Sequence, residues 1–155
     1  MHTTQNLKFV TITPPGAIVD NASYTTTAID TMGFGNLTVV VQLGATDIAM
    51  TALKLQESDD SGMSGAADIT GCVYGTSTDP DSGTTSALPT DGNDNGRFVF
   101  HVPLAGRKRY IDLVATAGDG SAGTYLTAIG ILEDSVSANP STATTRGLVS
   151  NLFAS

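Results

Sequence analysis

The sequence predicts an all-β protein, an antiparallel β-sandwich of the jelly-roll type with about eight strands. Three observations predict this fold class. Apolar residues alternate with period two, as in Leu37, Val39, Val41 and Leu43, which give a strand one wholly apolar face. Clusters of Gly, Asp, Asn and Ser separate the alternating segments. Helical spacing is nearly absent, which excludes parallel α/β folds because their crossover connections need helices.

Eight segments carry the strand pattern, and Thr, Val, Ile and Tyr are common in them. In chain order the segments are 7–13, 23–30, 37–43, 50–58, 67–74, 98–104, 110–116 and 124–132. A single helical turn within 46–53 is disfavoured, because the β-branched Thr46, Ile48 and Thr51 lose side-chain freedom in a helix. Eight short strands joined by polar turns are typical of a jelly roll.

The alternation also predicts which side chains meet between the two sheets. The expected core residues are Leu37, Val39, Val41, Leu53, Leu55, Phe98, Phe100, Ile111 and Leu113. His101 shares the opposite strand face with Arg97 and Val99. We therefore expect this histidine to point outward rather than to act as a general base.

The predicted organisation is a β-sandwich domain over residues 1–133 and an extended C-terminal arm over residues 134–155. Segment 75–96, rich in Gly, Ser, Thr, Asp and Pro, lacks the strand pattern and predicts a long loop, which usually binds something or is mobile. Two fates stay open for the apolar residues of the arm: burial on a partner, or folding back on the sandwich. These residues are Leu148, Val149, Leu152 and Phe153.

Composition excludes several classes of partner. The 155 residues include 15 acidic and 7 basic side chains, giving a formal net charge of −8. Nucleic-acid binding depends on Lys and Arg contacts to phosphates, so no nucleic-acid partner is expected. A single cysteine, Cys72, excludes an intrachain disulfide and a cysteine-built metal centre. No apolar run approaches the ~20 residues of a membrane helix, and residues 1–6 lack a signal-peptide pattern, so no membrane partner is expected.

Two glycine-containing motifs resemble ligand-binding loops but lack their context. Residues 118–123 match G-x-G-x-x-G, yet a strand rather than a helix follows, which predicts a hairpin connection in which the glycines supply positive φ. Residues 91–96 match the first half of an EF-hand loop, but Val102 stands where a bidentate Glu must close the calcium sphere. We expect no nucleotide, no metal and no other cofactor.

Catalytic constellations are equally weak. G-x-S-x-G does not occur, and the paired carboxylates Asp59–Asp60 and Asp79/Asp81 fall on predicted turns, where Asp commonly bonds nearby backbone amides. The sequence therefore favours a protein that is not an enzyme.

The most distinctive charged feature is the contiguous basic run Arg107, Lys108 and Arg109 in an otherwise acidic protein. On a strand, alternation would send Arg107 and Arg109 to one side and Lys108 to the other. The run could seat carboxylates of a partner or of a neighbouring subunit. The equally weighted alternative is an intramolecular pair with Asp112 or with the acidic loops.

Several stretches resemble small head proteins encoded by tailed bacteriophages, and the resemblance covers roughly residues 24–133. The matching stretches are 49–60, 68–71, 98–102, 106–113, 115–118 and 123–125. The resemblance implies a capsid decoration (cement) protein, a β-sandwich on the outer surface of an icosahedral head. Such proteins clamp neighbouring subunits of the major capsid protein against internal DNA pressure, and the family has no active site to transfer.

The same resemblance implies self-association, with a homotrimer favoured over a dimer, and assembly in the host cytoplasm. A single thiol is consistent with that reducing compartment. Two other functions remain as alternatives: a structural component of the phage tail or neck, and a carbohydrate-binding sandwich module. Sugar sites use exposed aromatic platforms, and without Trp the candidates here are Tyr24, Tyr74, Tyr110 and Tyr125.

Overall fold

The computed structural model describes residues 6–136 and 140–152. The described residues form eight strands and a short 3-10 helix, Asp91–Asn93. The strands are β1 Lys8–Thr13, β2 Ile29–Asp30, β3 Phe34–Thr46, β4 Ala52–Ser58, β5 Ala67–Val73, β6 Arg97–Pro103, β7 Tyr110–Thr116 and β8 Thr124–Ser135.

The strands form two antiparallel four-stranded sheets. The first sheet has the order β1-β8-β3-β6 and the second has the order β2-β7-β4-β5. This is the strand order of an eight-stranded jelly roll, in which the two sheets pack face to face. The predicted all-β sandwich of jelly-roll type is therefore confirmed.

The core lies between the sheets and follows directly from the alternation of side chains. In β7 each inward residue is buried and each outward residue is half-buried, with Ile111 and Leu113 at most 1% exposed. The predicted core residues are buried, except that Phe98 is half-buried and packs against the rim of the core. The predicted register of the core is confirmed, because a one-residue slip would have reversed every one of these side chains.

Two predicted segments differ from the structure. Of segment 23–30 only Ile29–Asp30 is a strand; before it, the Tyr24 N–H donates to the Ala115 carbonyl at 2.9 Å, and the Tyr24 hydroxyl donates to the Thr124 carbonyl. Ala115 and Thr124 belong to different sheets, so this extended stretch crosses between the sheets instead of lying within one.

Segment 75–96 is also more ordered than its composition predicts. A local bridge joins Thr78 to Thr85, and the Gly75 N–H donates to the Ser86 carbonyl at 3.0 Å. Leu88 packs against the core. The segment is therefore a folded excursion with its own backbone hydrogen bonds, which composition alone did not predict.

Candidate interaction surfaces

The basic run lies in the turn between β6 and β7, so strand alternation does not apply to it. Arg109 makes a two-pronged ion pair with Asp30, with Nε to Oδ1 at 2.8 Å and Nη2 to Oδ2 at 2.7 Å. Its guanidinium also lies 5.0 Å from the centroid of the Tyr110 ring. The hydrogen bonds from Arg109 hold the pKa of the Asp30 carboxyl below its usual value.

Glu57 on β4 organises the rest of this turn. Its Oε1 lies 3.4 Å from Arg107 Nη1, and its Oε2 accepts the backbone N–H of Lys108 at 3.3 Å. Asp112, the partner named by the intramolecular alternative, instead accepts the Thr26 hydroxyl at 3.1 Å. The two arginines therefore have intramolecular partners, but these are Glu57 and Asp30 rather than Asp112. The Lys108 ammonium makes no ion pair with any residue that the structure describes.

Part of the C-terminal arm folds back on the sandwich, and the residues beyond that part are exposed. The Phe9 N–H on edge strand β1 donates to the Arg146 carbonyl at 2.8 Å, and Gly147 lies so close that a Cβ would strike the Phe9 carbonyl. Beyond this contact, Leu148 is half-buried, whereas Val149 is 105% exposed and Leu152 is 91% exposed. Phe153 lies outside the described residues.

Arg146 is the feature of the arm that sequence reasoning missed. It is only 7% exposed, its Nε donates to the Thr142 carbonyl at 3.1 Å, and its buried Nη1 has no hydrogen-bond partner among the described residues. Its carbonyl meets Phe9 of β1 only in the folded chain, so no local sequence signal could have identified it.

An open cleft of about 400 Å³ lies between the end of β5 and edge strand β6. The Tyr74 hydroxyl spans it, donating to the Val99 carbonyl at 3.0 Å and accepting the Val99 N–H at 3.3 Å. Cys72 lines the cleft, and burial raises the pKa of its thiol, which opposes the thiolate form that a nucleophile needs. His101 is exposed on the same rim, as its strand face predicted.

The tyrosines offer little to a sugar ligand. Tyr24 is buried, and burial raises its pKa to about 12. Tyr74 meets Phe98 and Phe100 edge to face, and Arg109 lies over the ring of half-buried Tyr110. Tyr125 is the exposed member of the set, at 45%. One exposed ring is a poor basis for a carbohydrate platform.

The glycine motif 118–123 joins β7 of the second sheet to β8 of the first, so the expectation of a hairpin is wrong. Gly123 does have positive φ, at 84°, but Gly118 and Gly120 do not. At Gly118 the requirement is space, because a Cβ there would strike the Ala49 carbonyl.

Two carboxylates of this chain accept hydrogen bonds from the amide groups of that loop. The N–H groups of Ser121 and Ala122 both donate to Asp47 Oδ2 at 2.6 Å, and the Gly120 N–H donates to Asp20 Oδ1 at 3.0 Å. These backbone hydrogen bonds lower the pKa of Asp47. The loop amides do bind anions, but these are the side chains of Asp47 and Asp20 in the same chain.

The motif 91–96 is a turn held in a similar way. Asn93 Oδ1 accepts the Thr90 N–H at 2.8 Å, and Asp94 Oδ1 accepts the Thr46 N–H at 2.8 Å. Within the described ranges, no three His, Cys, Asp or Glu side chains group as a metal site requires. No helix in the same ranges has the length and hydropathy of a membrane span.

The outer face of the first sheet, made by the outward residues of β3, β6 and β8, is a surface that sequence reasoning did not single out. Ile129 is 39% exposed and Val99 is 36% exposed there, on either side of Val40. The available signal was β8 itself, which is apolar on both faces: Ile129 and Ile131 alternate with residues that enter the core.

The fold and these surfaces define a jelly-roll β-sandwich with a docked C-terminal arm. Neither a protein-family model nor a curated protein sequence matches the chain. Among solved structures, the chain is similar to the crystal structure of the SPBc2 prophage-derived protein YomS. That similarity has 14% sequence identity and a TM-score of 0.43, and covers 81% of this chain and 91% of that chain.

Proposed function

We propose that this protein is a structural virion protein that decorates the outer surface of a tailed-phage head. In this role it binds the major capsid protein, clamps neighbouring capsid subunits and stabilises the head against the pressure of packaged DNA. The resemblance of residues 24–133 to phage head proteins supports the proposal, and so does a rigid sandwich without an evident catalytic constellation among its described residues.

The observation that carries the proposal is the contrast between the first sheet's two edges, each hydrogen-bonded at one residue to another part of the chain, and the projecting arm. Arg146 covers the backbone of β1 at Phe9, and Tyr74 covers β6 at Val99. Val149 and Leu152 instead project into solvent. Burying a side chain of this size is worth roughly 1.5–3 kcal/mol before association costs are subtracted, so these two residues are a suitable anchor on a neighbouring subunit.

The basic turn supplies orientation in this proposal. Arg107 and Arg109 are already held by Glu57 and Asp30, so they present charge in a fixed position. Charge-assisted hydrogen bonds from such groups to carboxylates of the capsid add specificity more than affinity. Lys108 adds a further positive group at the same turn.

Adding purified protein to heads that lack it tests the proposal. We expect the wild type to bind, to raise the temperature at which DNA is released, and to appear on the outer head surface in electron micrographs. The double variant Val149→Ser, Leu152→Ser should lower the affinity for heads by at least roughly tenfold, the factor that about 1.4 kcal/mol represents. Arg107→Ala with Arg109→Ala should make attachment more labile without unfolding the domain.

The matched control is Ile48→Ser, an exposed apolar residue at 40% on a loop outside the arm. It should bind as the wild type does. Wild-type protein that fails to bind heads, or that is found on the tail or neck of native particles, contradicts the head assignment. Binding that is unchanged in both the arm and the arginine variants contradicts the proposed contact surface.

A further inference from the structure

We infer that the outer face of the first sheet is the contact surface for a second copy of this chain, related by a two-fold axis. The inference does not depend on the proposed function. It names a contact different from the arm and the basic turn.

The central row of the first sheet's outer face is apolar, whereas the central row of the second sheet's outer face is polar and charged. Val40 on β3 pairs with Ile129 on β8 and with Val99 on β6, which makes an uninterrupted apolar row across three strands. At the centre of the second sheet, by contrast, Gln56 pairs with Asp112 and with Asp68. An apolar row is stabilised by removal from water, whereas the polar row is already well solvated.

Backbone groups at both edges of the first sheet already have hydrogen-bond partners, which favours docking on the face over strand addition at an edge. On β6, the Tyr74 hydroxyl occupies the free N–H and carbonyl of Val99, and Pro103 lacks an N–H to offer. On β1, the Phe9 N–H is bonded to Arg146 of the arm. Adding a strand to either edge would break these bonds, so a partner approaches face-on.

Charge complementarity points to a copy of the same chain as the occupant. Along β3, β6 and β8 the charged residues of this face are Arg97 at one end, and Glu133 with the exposed Asp134, which accepts from the Asn36 amide, at the other. Glu133 pairs with Asn36 on one side of β3, and Arg97 pairs with Gln42 on the other. The two charges thus lie diagonally across the face, on opposite sides of the apolar row.

Consider a two-fold axis that lies in the plane of the contact, passes through the middle of β3 and is perpendicular to the line joining these charges. This axis places Glu133 of each copy over Arg97 of the other. Such an isologous contact is self-complementary, with each pair formed twice. Each Arg97 then faces the acidic end of the other copy, so opposite charges meet at this contact although the whole chain carries a net charge of −8.

The size of the face predicts a weak dimer. Three strands spaced about 4.8 Å apart and about 25 Å long give roughly 360 Å² on each copy. The total of roughly 700 Å² is below the roughly 1,000 Å² of a stable specific interface and is in the range of weak, transient contacts. The dimer should therefore form in a concentration-dependent way.

Sedimentation velocity of the full chain, from low micromolar to millimolar concentration, tests the inference. We expect a monomer–dimer equilibrium that Ile129→Lys abolishes. The control Val114→Lys, at an outward position of β7 in the second sheet, should leave the equilibrium unchanged. Circular dichroism of each variant verifies the fold.

The charge pair supplies a second, independent test. Arg97→Glu alone and Glu133→Arg alone each place like charges opposite one another and should weaken the dimer about tenfold or more. Mixing the two single variants should restore dimers, because a mixed pair forms both Glu–Arg contacts. A chain that stays monomeric throughout, a closed trimer, or single variants that dimerise like the wild type would overturn the inference.

Discussion

The Arg109 guanidinium holds both carboxylate oxygens of Asp30, at 2.8 and 2.7 Å, across 79 residues of sequence. The pair ties the two-residue strand β2 to the start of β7, at the place where the backbone N–H of Thr31 also donates to the Arg109 carbonyl at 3.0 Å. The ion pair and the Thr31 bond thereby supplement the two-residue pairing of a short edge strand with its sheet. Both partners are about half exposed, so the pair specifies position more than it adds stability.

We predict that the protein loses stability in acid. The pKa values of Asp30, Asp47 and Asp68 are lowered, chiefly by hydrogen bonds from Arg109, from Ala122 and from Lys54 respectively. A carboxyl whose pKa is lower in the folded state than in the unfolded state stabilises the fold. This stabilisation is fully present above the unfolded-state pKa of about 3.9 and is lost as the pH falls through the folded-state pKa. We therefore expect the urea concentration at the unfolding midpoint to decrease once the pH is lowered below about 4.

The variant Asp47→Asn checks the source of this effect. An amide cannot titrate, so the variant should be less stable at neutral pH and lose less stability in acid than the wild type. Parallel acid profiles for the two proteins would contradict the role given to Asp47.

Phe100→Ala should destabilise the protein by about 3–5 kcal/mol, the usual effect of truncating a buried aromatic side chain. Phe100 is 5% exposed and meets Tyr74 with ring centroids 5.1 Å apart. Val99→Ala, next to it on the outer face, should change the unfolding free energy by less than about 1 kcal/mol. Equal effects of the two substitutions, measured by urea unfolding, would show that the core is elsewhere.

Gly123→Ala should destabilise the protein by more than about 1 kcal/mol, because it combines two penalties. The residue has a φ of 84°, and a Cβ would strike the backbone carbonyl of Val19. Gly65→Ala is the matched control: its φ is 63°, but no atom of the part of the chain that the structure describes lies within 4 Å of the added Cβ. The melting temperature of Gly123→Ala should be well below that of Gly65→Ala. The reverse order would contradict the close approach of Gly123 to the Val19 carbonyl.

Titration with Ca²⁺, ATP or NAD should release no binding heat. The amides of Ser121 and Ala122 already donate to Asp47, and Asp94 already accepts the Thr46 N–H. A ligand would have to displace these bonds. Micromolar binding of any of the three, measured by calorimetry, would show that one of the loops is a ligand site after all.

The sequence predicted most strands and their inward faces because both are local properties. Side-chain direction alternates at every residue of a strand, so Ile111, Leu113 and Phe100 could be assigned to the core without knowledge of their neighbours. The strand prediction for segment 23–30 was wrong over most of its length, since Tyr24 is extended but bonds to both sheets where the chain crosses between them. Extended conformation is local, whereas membership of a sheet is not.

The candidate surfaces were only partly predictable for the same reason. The basic run and the apolar residues of the arm were visible in the sequence, but their environment was not. Glu57 and Asp30 reach Arg107 and Arg109 because β2 and β4 both pair with β7. The outer face of the first sheet needed the pairing of β3 with β6 and β8 before Val40, Ile129 and Val99 formed one row.

By itself the sequence determined the fold class, the approximate strands, the register of the core and the absence of a strong catalytic motif. These depend on alternation and composition, which act between residues a few positions apart. Tertiary structure alone decided which strands are neighbours, which carboxylates hold the arginines, how the arm meets Phe9 and which sheet face is left apolar. Each of those depends on residues far apart in sequence, brought together only when the two sheets close around their common core.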